Sequence, residues 1–192
     1  MPKIVRGRAG RQQRREAQIS TYGAELAPML LKQIRVLPAA RILHLGYPGA
    51  TDVADAIAPA LDTGEILLVV YSYDELEETR ALLAGVGNVE VINDFDDLDP
   101  DEPPYDVVTC IVPYYLGRDY VADLLRTGLD RLTPGGTLFM AGDRQQGFER
   151  QLEFLGSIGS RVTPLVQKGQ YRVVSATKPT AGGGLRRRPE GA

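Results

Sequence analysis

The apolar residues of this chain change period repeatedly along its length. Behind Ser20 or Thr21, Leu26, Met29, Leu30, Ile34 and Leu37 recur at helical spacing until Pro38 ends the run. "ARILHLG" then reads as a strand. "ATDVADAIAPALD" places Val53, Ala56, Ile57, Ala60 and Leu61 on one side of a helix. "EILLVVYS" is apolar on both faces, as an interior parallel strand should be. "YDELEETRALLAGVG" is a helix closed by glycine, and "VEVIND" is a strand. After the acidic, proline-rich loop "DFDDLDPDEPP" come a strand, "YDVVTCIVPYY", and an amphipathic helix, "GRDYVADLLRTGLDRL". A turn at "TPGG", a strand at "TLFMAG" and a helix at "RQQGFERQLEFLGSIG" follow. "RVTPLVQKGQYRVVSATK" reads as two strands reversing near Gly169. Strands thus alternate with helices five times before a terminal hairpin. This order predicts an α/β fold: a doubly wound, mostly parallel seven-stranded sheet with right-handed crossovers and a C-terminal antiparallel hairpin. Ligands of such sheets sit at the carboxyl ends of the strands.

Charge refines this picture. The net charge of −3 conceals a segregation. Residues 1–35 carry eight basic and two acidic side chains, residues 36–177 ten basic and 22 acidic, and residues 178–192 four basic and one acidic. The expected organisation is a basic arm at 1–19, one domain at 20–178 and a disordered Gly/Arg-rich tail at 179–192. Arg6, Arg8, Arg11, Arg14 and Arg15 of the arm are candidate nucleic-acid contacts, or else form a solvated tail. No apolar run approaches the roughly 18 residues of a membrane span, and the basic N-terminus lacks the apolar core of a secretory signal. One cysteine excludes an internal disulfide, and one histidine argues against a His/Cys metal site, so no metal is expected and the location reads as cytoplasmic.

Taken in order, these landmarks resemble the class I S-adenosylmethionine-dependent methyltransferases with their Rossmann-type sheet. They are a strand with a glycine turn, "LLVVYS", a strand ending "ND", "YDVVTCIVPYY", "TPGGTLFMAG" and "YRVVSA". More narrowly, residues 20–178 resemble the small-methyltransferase-domain family that modifies the exocyclic amine of guanine in small-subunit ribosomal RNA. The stretch "LTPGGTLFMAGDRQQGFERQLEFLGSIGSRVTPLVQKGQYRVVSATK" carries that likeness furthest. The resemblance implies S-adenosylmethionine as cofactor and RNA as substrate.

The family motifs depart at their chemistry. The family's first motif, Asp-x-Gly-x-Gly-x-Gly, falls on His44, Gly46, Pro48 and Ala50, and only Gly46 matches. An imidazole cannot replace a carboxylate facing the cofactor's ammonium. Pro48 fixes φ near about −65° and offers no N–H, so a shifted turn through Gly49 would have to compensate. The acidic residue that holds the ribose falls on Val70, with Asp74 a turn later at the start of a helix. Asp94 falls where the family's acidic residue meets the adenine amine, and reads equally as one carboxylate of an acidic loop. The catalytic Asn-Pro-Pro-Phe/Tyr falls on Ile111, Val112, Pro113 and Tyr114. Pro113 and Tyr114 remain, but the Asn that orients the amine is replaced by hydrocarbon. Tyr114 and Tyr115 could stack a base, or pack at the cleft mouth. His44 reads otherwise as a packed core histidine, Cys110 as a small buried hydrophobe, and Arg144 as a phosphate contact or a surface partner of Glu149.

Losing the ammonium and ribose partners removes two charged hydrogen bonds, roughly 3–6 kcal/mol. That is a factor of about 10² to 10⁴ in affinity. The expectation is therefore a non-catalytic methyltransferase-fold protein that holds RNA or a protein partner through its cleft and basic arms. The alternative is an active, divergent methyltransferase whose cofactor site is rebuilt from Asp52, Asp74 and Asp94. A third reading, another nucleotide binder, has neither a P-loop lysine nor Gly-x-Gly-x-x-Gly behind it.

Overall fold

A computed structural model describes residues 22–46 and 50–178. Seven strands form one sheet: β1 (Arg41–Leu45), β2 (Glu65–Val70), β3 (Val89–Asn93), β4 (Tyr105–Ile111), β5 (Leu132–Asp143), β6 (Arg161–Lys168) and β7 (Tyr171–Thr177). Their order is β3-β2-β1-β4-β5-β7-β6. The first five run parallel, while β7 lies antiparallel between β5 and β6. The doubly wound sheet with its C-terminal hairpin is thus the predicted one.

Helices cover both faces because each strand near the middle is apolar on both sides. A helix over residues 22–31 (α1), α2 (Ala50–Ile57) and α3 (Tyr73–Leu82) pack on one face, where Leu26, Leu30, Val53, Leu76 and alternate strand residues such as Ile42 and Val70 are buried. The other face is covered by α4 (Arg118–Asp130) and α5 (Phe148–Ser157), which bury Leu124, Leu125 and Phe148 against Leu43, Val108 and Met140. Each such aliphatic side chain contributes about 1.5–3 kcal/mol on burial. The layers hold the carboxyl ends of the strands along one edge, where the site lies.

Four boundaries differ from expectation. The first helix stops at Leu31, and bonds from Gln33 N to Leu30 O and Ile34 N to Leu31 O tighten its end. Leu37 then lies beyond the helix, 73% exposed, and Pro38 after it disfavours a helical residue 37. Pro59 ends α2 early, leaving a 3-10 turn at Ala58–Ala60. "TPGG" is no free turn but the irregular start of β5, where the pairing with β4 shifts register. Gly147, at φ 98°, separates a 3-10 turn at Arg144–Gln146 from α5, dividing one expected helix. No helix among the described residues is long and apolar enough to cross a membrane.

Candidate functional site

Strand order reverses between β1 and β4, and the crevice outside their carboxyl ends is where such a sheet binds ligands. Gly46 follows β1 there with φ 140°. A Cβ at this position would sit 2.6 Å from the Ile111 carbonyl oxygen and 3.2 Å from its nitrogen. The glycine thus lets the chain leave β1 against the end of β4. Pro48 and Gly49 lie outside the described residues, as do Arg6, Arg8, Arg11, Arg14 and Arg15.

His44 does not reach the crevice. It is 0% exposed, and its Nδ1 lies 2.7 Å from Thr109 Oγ1 on β4. Burial lowers its pKa to about 4. The Gly46 backbone opposes that shift without closing a hydrogen bond to Nε2, which has no partner. Val70 ends β2 fully buried in the layer beneath α2 and α3. Just beyond it, Ser72 caps α3 by accepting from Glu75 N at 3.2 Å, while Glu75 Oε2 accepts from Tyr71 N at 2.7 Å. This capping box holds the Glu75 carboxylate at the end of β2. Burial raises its pKa, and the Tyr71 and Ser72 amides oppose the shift. The signal for it, Ser-x-x-Glu before a helical run, stands in the sequence at 72–75, although no family motif draws attention to it. Asp74 is exposed on the first turn of α3, and Asp52 is exposed on that of α2.

Asp94 closes β3 in an uncommon conformation, φ 78°. Its Oδ1 accepts from Tyr120 Oη of α4 at 2.7 Å and from Asp96 N at 3.4 Å. The Tyr120 ring packs edge-on to Tyr71, with centroids 5.7 Å apart, and tilted on Phe95 at 5.1 Å. Asp94 is therefore engaged from within the protein, by a bond to α4 that no local pattern around residue 94 announces.

On the other side of the switch point, Ile111, where the sequence resemblance puts an Asn, is 0% exposed. Pro113 is buried, and a 3-10 turn at Tyr114–Leu116 follows. Tyr114 donates to the Asp143 carbonyl at 3.3 Å, and burial raises its pKa. Tyr22 of α1 packs edge-on to both Tyr114 (6.1 Å) and Tyr171 (6.4 Å) and donates to the Val112 carbonyl at 3.2 Å. Tyr22 went unnoticed in the sequence, because only the tertiary fold carries it 90 residues back onto the end of β4. Asp143 is buried, with Oδ1 capping Gln145 N at 2.8 Å and Oδ2 accepting from Gln170 at 3.3 Å. Arg144 meets Glu149 at 3.5 Å, and Cys110 is fully buried. No group of three potential metal ligands occurs among the described residues.

No family model matches the chain, and no curated protein matches it in sequence. Solved structures share its fold. The precorrin-6y C5,15-methyltransferase from Geobacter metallireducens superposes with a TM-score of 0.64 at 17% identity, covering 79% of this chain and 87% of that one. The T. thermophilus 16S rRNA N2 G1207 methyltransferase RsmC, in complex with S-adenosylmethionine and guanosine, gives 0.63 at 24% identity, covering 81% of this chain and 39% of that one. TrmN from Thermus thermophilus gives 0.61 at 22%, covering 79% and 48%. The chain spans less than half the length of the last two. The fold they define is that of the class I S-adenosylmethionine-dependent methyltransferases.

Proposed function

We propose that this chain keeps the methyltransferase fold without methyltransferase chemistry, and that its crevice holds single-stranded RNA. The observation that carries the first half is the end of β2. The side chain that would have to meet the ribose hydroxyls is Val70, 0% exposed and part of the hydrocarbon layer. The neighbouring positions agree. His44 is buried and uncharged near neutral pH, and Asp94 already accepts from Tyr120. Among the described residues these groups do not fit a sulfonium amino acid nucleoside, which needs negative charge at its ammonium and paired acceptors at its ribose.

Support for RNA comes from the other half of the crevice. Tyr114 follows Pro113 as in the family motif, with part of its surface accessible. A tyrosine stacked on a base contributes about 1–3 kcal/mol. One structural neighbour is itself a 16S rRNA methyltransferase with guanosine bound.

A second reading, an active divergent methyltransferase, rests on Glu75, whose carboxylate lies at the end of β2. Calorimetric titration with S-adenosylhomocysteine separates the two. The proposal expects a dissociation constant near millimolar or no heat, and a micromolar value overturns it. Anisotropy with labelled single-stranded RNA tests the other half. Tyr114→Ala should weaken binding about 5- to 150-fold, the equivalent of one stacked base. Tyr114→Phe, which keeps the ring, should not. Equal effects of the two variants would refute stacking.

A further inference from the structure

α4 and α5 each follow a parallel strand, so both begin at the carboxyl edge of the sheet. Both begin at a glycine, Gly117 at φ 95° and Gly147 at φ 98°, which has no side chain to cap the helix. The N–H groups of each first turn leave about half a positive charge at the helix start. One acidic residue stands in each turn, Asp119 and Glu149. Glu149 is taken by Arg144 and Arg172, at 3.5 and 2.7 Å.

Between the two helices lies a surface pocket of about 130 Å³. It is lined by Arg118, Asp119 and Ala122 of α4 and by Arg150, Gln151 and Phe154 of α5. Neither Arg118 nor Arg150 has an ion-pair partner among the described residues. Arg150 Cδ lies 3.9 Å from the point that a Gly147 Cβ would occupy, so its stem runs back over the bare start of α5. The next cation along α4, Arg126, is engaged elsewhere: it covers the Phe154 ring at 5.3 Å and pairs with Asp123 at 3.0 Å. Gln151 Oε1 is buried and has no hydrogen-bond partner. A buried acceptor left open in this way favours a ligand that brings a donor to it.

Size, charge and hydrogen bonding narrow what fits. Sites for whole small molecules enclose about 300–1,000 Å³, so this pocket takes one head group and leaves the rest of its ligand in solvent. Two guanidiniums and two half-positive helix starts, against the single Asp119 carboxylate, leave about +2. That suits a dianion better than a carboxylate. Gln151 Oε1 further asks for an O–H on the same head group. Sulfate has the charge but carries no proton near neutral pH. A phosphate monoester carries about −1.5 to −2 at pH 7, with a second pKa of about 6, so it supplies both the charge and the O–H. Its oxygens also match the fork of a guanidinium.

We infer that the α4–α5 pocket binds the phosphate group of a phosphate monoester. Arg118 and Arg150 hold its oxygens, and its O–H donates to Gln151 Oε1. The site is separate from the crevice and does not rest on the RNA reading. The test is phosphorus NMR of methyl phosphate with the full chain, at pH about 6 and constant ionic strength, with sulfate as competitor. The native chain should broaden the signal saturably, and sulfate should displace methyl phosphate less well than its own concentration predicts for an equal ligand. Arg118→Ala/Arg150→Ala should weaken both anions at least about tenfold, a modest figure because both side chains are exposed. Gln151→Leu should weaken methyl phosphate about 2- to 10-fold and leave sulfate unchanged. Asp119→Asn, which removes the repelling charge, should tighten both. No broadening by the native chain, or full affinity in the arginine variant, would strike out the site. Equal binding of sulfate and methyl phosphate to the native chain would overturn the assignment to phosphate.

Discussion

Substituting Gly46 by alanine separates two reasons for keeping one glycine. If the residue serves a ligand, the substitution should spoil ligand binding and leave the fold almost untouched. The structure gives the other answer. With φ at 140°, the backbone occupies a region that L residues rarely enter. Holding a side chain there costs about 1–3 kcal/mol. The new Cβ would also press on the Ile111 carbonyl at 2.6 Å and its nitrogen at 3.2 Å. Both are backbone atoms of a paired strand and cannot rotate away, so the overpacking adds about 1–3 kcal/mol. The sum is about 2–6 kcal/mol, and for a chain of this length each kcal/mol moves the midpoint by roughly 2–4 °C. Gly46→Ala should therefore melt roughly 5–20 °C below the native protein, followed by far-ultraviolet circular dichroism at fixed protein concentration. A midpoint within about 2 °C of native would refute the packing argument and return Gly46 to a ligand role.

Three further outcomes follow from the same geometry. His44 has a folded pKa of about 4 against 6.5 unperturbed, so the unfolded chain binds more protons between those values. Its contribution is intact above about pH 6.5 and is lost as pH falls toward 4, by about 2 kcal/mol between pH 7 and 5. Urea midpoints at the two pH values should show that gap shrink in His44→Gln, and equal gaps would refute it. Ser72→Ala and Glu75→Ala should each cost about 1 kcal/mol, and the double variant less than their sum, because the two caps support each other. Additive losses in urea unfolding would dissolve the capping box. Cys110 is fully buried and burial pushes its thiol up, so a thiol reagent should react only as the protein unfolds. Rapid modification of the native protein would contradict that burial.

The fold was legible because its signals are local and repeated. Strands such as Glu65–Val70 are short apolar runs, and the amphipathic period of Arg118–Asp130 needs no partner to be seen. Element ends were less legible where one residue overrides a longer period, as Pro59 and Gly147 do. The candidate site was legible only as positions. A motif laid along the chain marks His44, Val70 and Ile111 as lacking the family's groups, but it cannot say which way those side chains point. All three are fully buried. It also cannot supply the rings that stand at the crevice, since Tyr22 and Tyr120 arrive from helices far along the chain from the residues they bond.

The same residues bear on the proposed loss of methyltransferase chemistry. The resemblance puts a carboxylate at Val70 and a carboxamide at Ile111, and here both positions belong to one buried cluster with Leu68, Val91 and Ala141. Each contributes about 1.5–3 kcal/mol as hydrocarbon. A polar group buried there without partners would instead cost about 1–3 kcal/mol. Restoring the acidic residue at β2 thus works against the packing that now closes the strand end. Asp94 is in part bound into its surroundings, since its Oδ1 accepts the 2.7 Å bond from Tyr120 that ties β3 to α4. At the carboxyl edge over β2 the position of Val70 belongs to the core, while the edge over β4 and β5 keeps the half-buried Tyr114 and the accessible Arg144. Under the proposed function, the ligand meets that second half.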